Sequence, residues 1–249
     1  MGLPFSRCQP RLMCTRSCSV RPLIPCSATS SSSRASASGL VSGVTTFTNN
    51  STAANAVVVN AAGVLNATTV NNNAGTFINA GVECLSAPVI DFSEAEYDRV
   101  FNVNVRGVFL TAQAVLRSFT SRNKQGNILI TASIAGLQGS PMTSIYNSSK
   151  FAAIGIARSL ALEVGSQGIR VNVLAPGAVK SRMMSALEES IGAASGVSAD
   201  TIRTGIEAAT GLGRYATPTE IASTAAWVLS DEVPYCHGEV FTVGGGMMA

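Results

Sequence analysis

"NILITASIAGLQGSPMTSIYNSSKFAAIGIARSLALEV", residues 127–164, decides the fold. Its opening, "NILITAS", is rich in β-branched and apolar residues and follows Gly126, which reads as a buried strand. "SIYNSSKFAAIGIARSLALEVGSQG" reads as a long helix stopped by Gly168. Tyr146 and Lys150 sit four residues apart at the head of that helix, so they share one face.

Outward from this stretch the alternation continues. Upstream, "TFINAG" reads as a short buried strand ending in a glycine turn. "DFSEAEYDRVFNVNVRGVFLTAQAVLRSF" has helical periodicity, with Ser93 and Glu96 spaced as a capping box. Downstream, "IRVNVLAPG" is a strand ended by Pro-Gly, and "TPTEIASTAAWVLS" is a helix capped by Thr217 with Pro218 at its first position. "GEVFTVGGG" is a last strand. Strand–helix alternation implies an α/β fold of parallel strands with right-handed crossovers. Ligands of such sheets lie beyond the carboxyl ends of the strands.

Three groups fall at that end. Ser133 closes the strand, Tyr146 and Lys150 open the next helix, and Asn104 lies in the helix before. A free phenol has a pKa of about 10, too high for a base near neutrality, and an adjacent ammonium favours the phenolate. Tyr146 could then exchange a proton with the oxygen of an alcohol or ketone, while Ser133 hydrogen-bonds that oxygen. No side chain supplies hydride, so this reading implies a nicotinamide. A Tyr-x-x-x-Lys pair alone arises often by chance; its surroundings carry the weight.

Composition excludes other classes. The 249 residues are 46% hydrophobic, enough for a substantial core, and a formal charge of +3 offers no nucleic-acid surface. No run of 18 apolar residues is present, so no membrane span is expected. The six cysteines, Cys8, Cys14, Cys18, Cys26, Cys84 and Cys236, form no C-x-x-C pair, which weighs against a zinc site. His237 is the single histidine; it reads as a loop residue and leaves no Ser-His-Asp triad.

The first acidic residue is Glu83. Residues 1–38 carry Arg7, Arg11, Arg16, Arg21 and Arg34 with "SATSSSSRASAS", the composition of an organelle transit peptide or of a disordered leader. A transit peptide would place the protein in a plastid or mitochondrion; otherwise it is expected in the cytoplasm. Residues 39–75 are Asn/Ala/Gly-rich, and "VNAAGV", "NNNAGT" and "INAGVE" echo one another. They read as low-complexity filler or as rungs of a β-solenoid, the latter suiting a structural or adhesive protein. Residues 76–249 carry the strand–helix alternation and are expected to form the catalytic region.

The ensemble resembles the short-chain dehydrogenase/reductase family from about Ile78 to the C-terminus. "INAGVE" is similar to the family's N-N-A-G strand end, "FNVNVRGVF" to the helix whose asparagine holds a proton-relay water, and "YNSSK" to its Y-x-x-x-K motif. Ser133 precedes Tyr146 by thirteen residues, as in the family. "IRVNVLAPGAVKSRMM" is similar to the R-V-N-x-x-x-P-G segment, with Ser181 for the usual Thr, and Gly244 stands where Asp is frequent.

The resemblance implies a Rossmann-like doubly wound sheet and NAD(P)-dependent interconversion of a secondary alcohol and a ketone. It implies Ser133, Tyr146, Lys150 and Asn104 as catalytic residues. Asn79, Ala80, Gly81, Tyr146, Lys150, Pro176, Gly177, Val179 and Ser181 would hold NAD or NADP. A homo-oligomer, dimer or tetramer, is implied too. Met183, Met184 and Leu187 fall on the family's substrate lid, where they line an apolar pocket or simply pack the helix. Trp227 reads as core.

One departure stands out. The family's opening T-G-x-x-x-G-x-G, which receives the pyrophosphate, is not found; "SGLVSGVT", Ser38 to Thr45, is a faint echo. The N-terminal half of the usual fold is therefore expected to be missing or atypical. A truncated or chimeric relative that cannot bind dinucleotide is the alternative reading. Without a first strand, "TFINAG" would be an open apolar edge, which "ANAVVVNAAG" could cover.

Overall fold

In the computed structural model the described residues are 45–47, 56–60 and 75–248. They belong to a unit spanning Ser33–Ala249. The leader over 1–38 and most of the Ser38–Thr45 echo lie outside the described residues, as do Cys8, Cys14, Cys18 and Cys26.

Six strands form one sheet in sequence order: β1 (Thr45–Phe47), β2 (Ala56–Asn60), β3 (Gly75–Asn79), β4 (Gly126–Thr131), β5 (Ile169–Pro176) and β6 (Val240–Val243). From β2 to β6 every pairing is parallel, as the alternation requires; β1 runs antiparallel to β2. Val59 pairs with Ile78 and Asn60 with Asn79, so "AVVVN" covers the edge that "TFINAG" would otherwise expose.

The helices are α1 (Glu94–Phe101), α2 (Val108–Ser121), α3 (Ser144–Val164), α4 (Arg182–Ser195), α5 (Ala199–Ala208) and α6 (Pro218–Leu229). Alternation along the strands sends their side chains to two cores. Ile78, Ile128, Ile130, Val171 and Val173 pack against Val108, Ala112 and Phe119 of α2 and Ala153, Ala157 and Leu160 of α3. On the other face Leu129 and Leu174 meet Val228 and Leu229 of α6, with Phe77 and Phe241 beside them. Each such buried side chain contributes roughly 1.5–3 kcal/mol of transfer free energy.

Helix ends follow the local chemistry. Thr217 and Glu220 form a full capping box behind Pro218. Ser93 makes only half of one: its hydroxyl accepts the Glu96 amide, but the Glu96 carboxylate turns to Leu85 N and Arg99. Helix α3 gives way to a 3-10 turn, Gly165–Gln167, and the chain leaves through Gly168 at φ 71°, where a Cβ would be strained. Trp227 departs from expectation. It is 44% exposed, with only its ring edge-on contact to Phe241 of β6, at 5.9 Å, tying it to the sheet. Among the described residues no helix is long and apolar enough to cross a membrane.

Candidate active site

The long helix read between residues 92 and 119 is interrupted. Between α1 and α2 the segment Asn102–Gly107 winds as a π-helix, a local widening that frees backbone groups and recurs at functional sites. Its centre is Asn104, fully buried. Asn104 Oδ1 accepts Val82 N at 2.8 Å, and Nδ2 donates to Val82 O at 3.0 Å and to Ser149 Oγ at 3.0 Å. The side chain therefore clamps the turn after β3 onto α3. A second clamp acts further along, where Arg99 Nη2 donates to Glu83 O at 2.6 Å and Glu96 Oε1 accepts Leu85 N at 3.0 Å.

This turn passes directly over Lys150. A Cβ on Gly81 would stand 3.0 Å from Lys150 Nζ and 4.0 Å from Asn104 Oδ1, so a larger residue there would press on the ammonium. Lys150 is 3% exposed, and burial alone pulls its ammonium down from 10.5 to about 8. Among the described residues nothing accepts a hydrogen bond from Nζ. Its neighbour is the Tyr146 ring, 5.6 Å from Nζ to centroid.

The phenol departs from the expectation drawn from spacing. Burial pushes Tyr146 up from 10 to about 12, and the nearby Ser133 hydroxyl offsets only part of that. The Lys150 ammonium, 5.6 Å from the ring centroid, is not among the groups that shift the phenol. An i,i+4 spacing fixes a shared face but not which atoms of two long side chains meet.

Ser133 sits at the end of β4, where the chain turns into the 3-10 segment Ile134–Gly136. Its hydroxyl accepts Ala135 N at 3.2 Å and donates to Pro176 O at 3.5 Å. That contact ties the β4 end to the β5 end. Beyond Pro176, Gly177 N donates to Val243 O, and a Cβ on Gly177 would stand 2.9 Å from Gly244 Cα. Val179 forms a bridge with Ala216. Asn79, Ala80 and Gly81 follow in line from the end of β3, with Ala80 fully buried.

The structure thus gathers Ser133, Tyr146, Lys150, Asn104, Gly81 and Pro176 at the carboxyl ends of β3, β4 and β5. Ser181 stands apart: its hydroxyl accepts Met184 N at 3.2 Å as the cap of α4, and no described contact joins it to the other site residues. Two neighbours escaped the sequence reading. Ser149 receives Asn104 and donates to Tyr146 O at 2.7 Å; its small polar side chain inside "YNSSK" was the available signal. Cys84, 2% exposed, packs with Val82, Ile145 and Tyr146, and only the tertiary fold brings it there.

Comparison with known proteins supplies the context. A family model described as enoyl-(acyl carrier protein) reductase matches residues 33–248. Levodione reductase of Leifsonia aquatica is 34% identical over 178 residues, covering 70% of this chain and 64% of the relative. The 3-alpha-(or 20-beta)-hydroxysteroid dehydrogenase of Mycobacterium tuberculosis is 35% identical over 178 residues, covering 72% and 59%. The crystal structure of levodione reductase superposes with a TM-score of 0.65 at 32% identity, over 69% of this chain and 65% of that one. A structure of actinorhodin polyketide ketoreductase with NADPH gives 0.66 at 28%, over 70% and 66%. The chain therefore spans about two thirds or less of the length of these relatives.

Proposed function

Because this chain belongs to the short-chain dehydrogenase/reductase family, we propose that it is an NAD- or NADP-dependent oxidoreductase interconverting a secondary alcohol and a ketone. The observation that carries the reading is the Lys150 ammonium, 3% exposed at the carboxyl end of the sheet, with no described hydrogen-bond acceptor. A buried cation so placed is costly unless a ligand's oxygens complete its shell.

The residues present fit the nicotinamide half of the cofactor. The turn Asn79–Ala80–Gly81, the Pro176–Gly177 turn and the Val179 backbone line the strand ends. Lys150 would reach the ribose hydroxyls, and Ser181 would contribute if its cap opened. The glycine-rich motif that would meet the pyrophosphate is not found in the sequence, and most of its faint echo over Ser38–Thr45 lies outside the described residues. A nicotinamide bound there would supply the hydride chemistry that no side chain provides.

The chain's own residues manage the proton and the oxygen. Tyr146 donates a proton to the nascent alkoxide, or takes one from the alcohol in the reverse direction. Ser133 donates a hydrogen bond to the same oxygen, where it is worth most as charge develops. In the relay the resemblance implies, protons return through Lys150 and the Asn104 segment, whose π-helical backbone leaves carbonyl capacity free. Phe109, Leu110 and Phe151 leave apolar surface on α2 and α3, which supports a homo-oligomer of this chain.

Calorimetric titration with NADH and NADPH, paired with ketone turnover, tests the reading. Saturable micromolar binding is expected, and Tyr146→Phe should lower turnover by roughly 10²–10⁴-fold with cofactor affinity retained. Absence of binding to either dinucleotide favours the inactive-relative reading instead.

A further inference from the structure

Helix α4 presents two working sides. One carries Met183, Leu187 and Ser190 at helical spacing, and it turns towards the loops of the active site: Ser190 Oγ accepts Ser86 N at 3.0 Å, in the turn that follows β3. The adjacent side carries Met184 and Glu188 and faces a cleft of about 820 Å3 closed by α5 and the head of α6. Glu188 is 1% exposed, a carboxylate taken almost wholly out of water. Arg203 of α5 meets it with Nε at 3.1 Å and Nη2 at 2.8 Å, both on Oε2, and holds Asp200 with Nη1 at 2.9 Å.

Tyr215, 9% exposed, lines the same cleft, and its hydroxyl makes no hydrogen bond although it is buried. Burial and the nearby Glu188 carboxylate keep that phenol protonated. Its neighbour Ala216 bridges to Val179, at the end of the β5 turn. Glu188 therefore stands where α4, α5 and the strand end converge.

Only the carboxylate of this pair is buried, Arg203 being 43% exposed, so the contact adds little to stability. The best-attested use of a buried ionic group is to fix register between packed elements. Here the elements are the two helices beside the catalytic loops. We propose that Glu188, gripped by Arg203, is a positioning residue that sets the seat of the α4–α5 hairpin and so the width of the substrate site along Met183 and Leu187. The inference rests on the oxidoreductase reading and extends it to substrate size, since Glu188 touches no reacting atom.

The test compares wild type, Glu188→Gln, Arg203→Lys and the double variant in two measurements. Hydrogen exchange should quicken across α4 and α5 in either single variant while α3 and β4 keep their protection; unchanged exchange in both rejects the lock. Kinetics with a small and a bulky ketone should show the small-to-bulky ratio of kcat/KM shifting roughly tenfold. The shift is carried by KM, with kcat within threefold, the NADPH dissociation constant unchanged, and the double variant no worse than the singles. Faster exchange with an unaltered ratio reduces the pair to a structural brace and overturns the specificity role. If wild type turns over no ketone, the oxidoreductase reading falls and the substrate-width claim with it, while exchange still decides whether the pair seats the hairpin.

Discussion

The two ends of the same parallel strands treat buried polar groups in opposite ways. At the amino ends of β4 and β5 the partners are saturated. Arg170 donates to the carbonyls of Cys236, Val228 and Ser230, and Asn172 holds Cys236 O and Glu239 N. His237 Nδ1 accepts Val171 N at 3.1 Å, which leaves the proton on Nε2 to be donated to Ala161 O at 2.7 Å. At the carboxyl ends the Lys150 ammonium, 3% exposed, has no hydrogen-bond acceptor among the described residues. A polar group whose bonds are all internal can only hold the fold, whereas one left with capacity in a dry site is available to a ligand. The lone histidine and the lone buried lysine differ in this respect rather than in residue type.

The largest test of the contrast is electrostatic. With Lys150 at about 8 in the fold and 10.5 when exposed, the unfolded chain binds more protons between those values. Stability should therefore rise as pH goes from 8 towards 10.5, by at most a few kcal/mol, with the full burial cost present below 8. Tyr146, raised from 10 to about 12, opposes this above pH 10, because the unfolded phenol ionises first. Urea midpoints between pH 7 and 10 should climb in wild type and stay flatter in Lys150→Met; parallel curves would mean that this ammonium is not paying a burial cost.

His237→Ala should lower stability by about 1–3 kcal/mol, because Val171 N and Ala161 O lose their partner, yet leave turnover intact. Loss of turnover at unchanged stability would erase the distinction between the two ends. Gly81→Ala should do the reverse: its Cβ would press on Lys150 Nζ and reduce turnover about tenfold, near 1.4 kcal/mol, with little change in the unfolding midpoint. The smallest effect belongs to neither end. Thr217→Ala removes one side of the α6 capping box and should cost about 1 kcal/mol by thermal unfolding, with kinetics unaffected.

Much of this was legible beforehand because it is local. Strand–helix alternation, the Thr217–Pro218 start and the Gly168 stop are written in adjacent residues, and parallel pairing follows from them. The "AVVVN" strand was legible only as a vacancy to be covered, since its apolar run names no partner. The half-made cap at Ser93 shows the limit: Glu96 has the right spacing but a stronger partner in Arg99, and it also holds the Leu85 amide eleven residues before it. The π-helical turn at Asn104 and the exposed flank of Trp227 likewise depend on what packs against them.

The sequence by itself determined the family and the strand–helix alternation that follows Gly75, and it singled out Ser133, Tyr146, Lys150 and Asn104 as candidates, because spacing along helix and strand is a short-range property. Only the tertiary structure decided that Lys150 lies under Gly81 and against the Tyr146 ring, that burial raises the phenol, and that Glu188 faces Arg203 inside a cleft. Dielectric environment and side-chain partners come from atoms far apart in the chain, and charge and proton affinity answer to those surroundings rather than to position in the sequence.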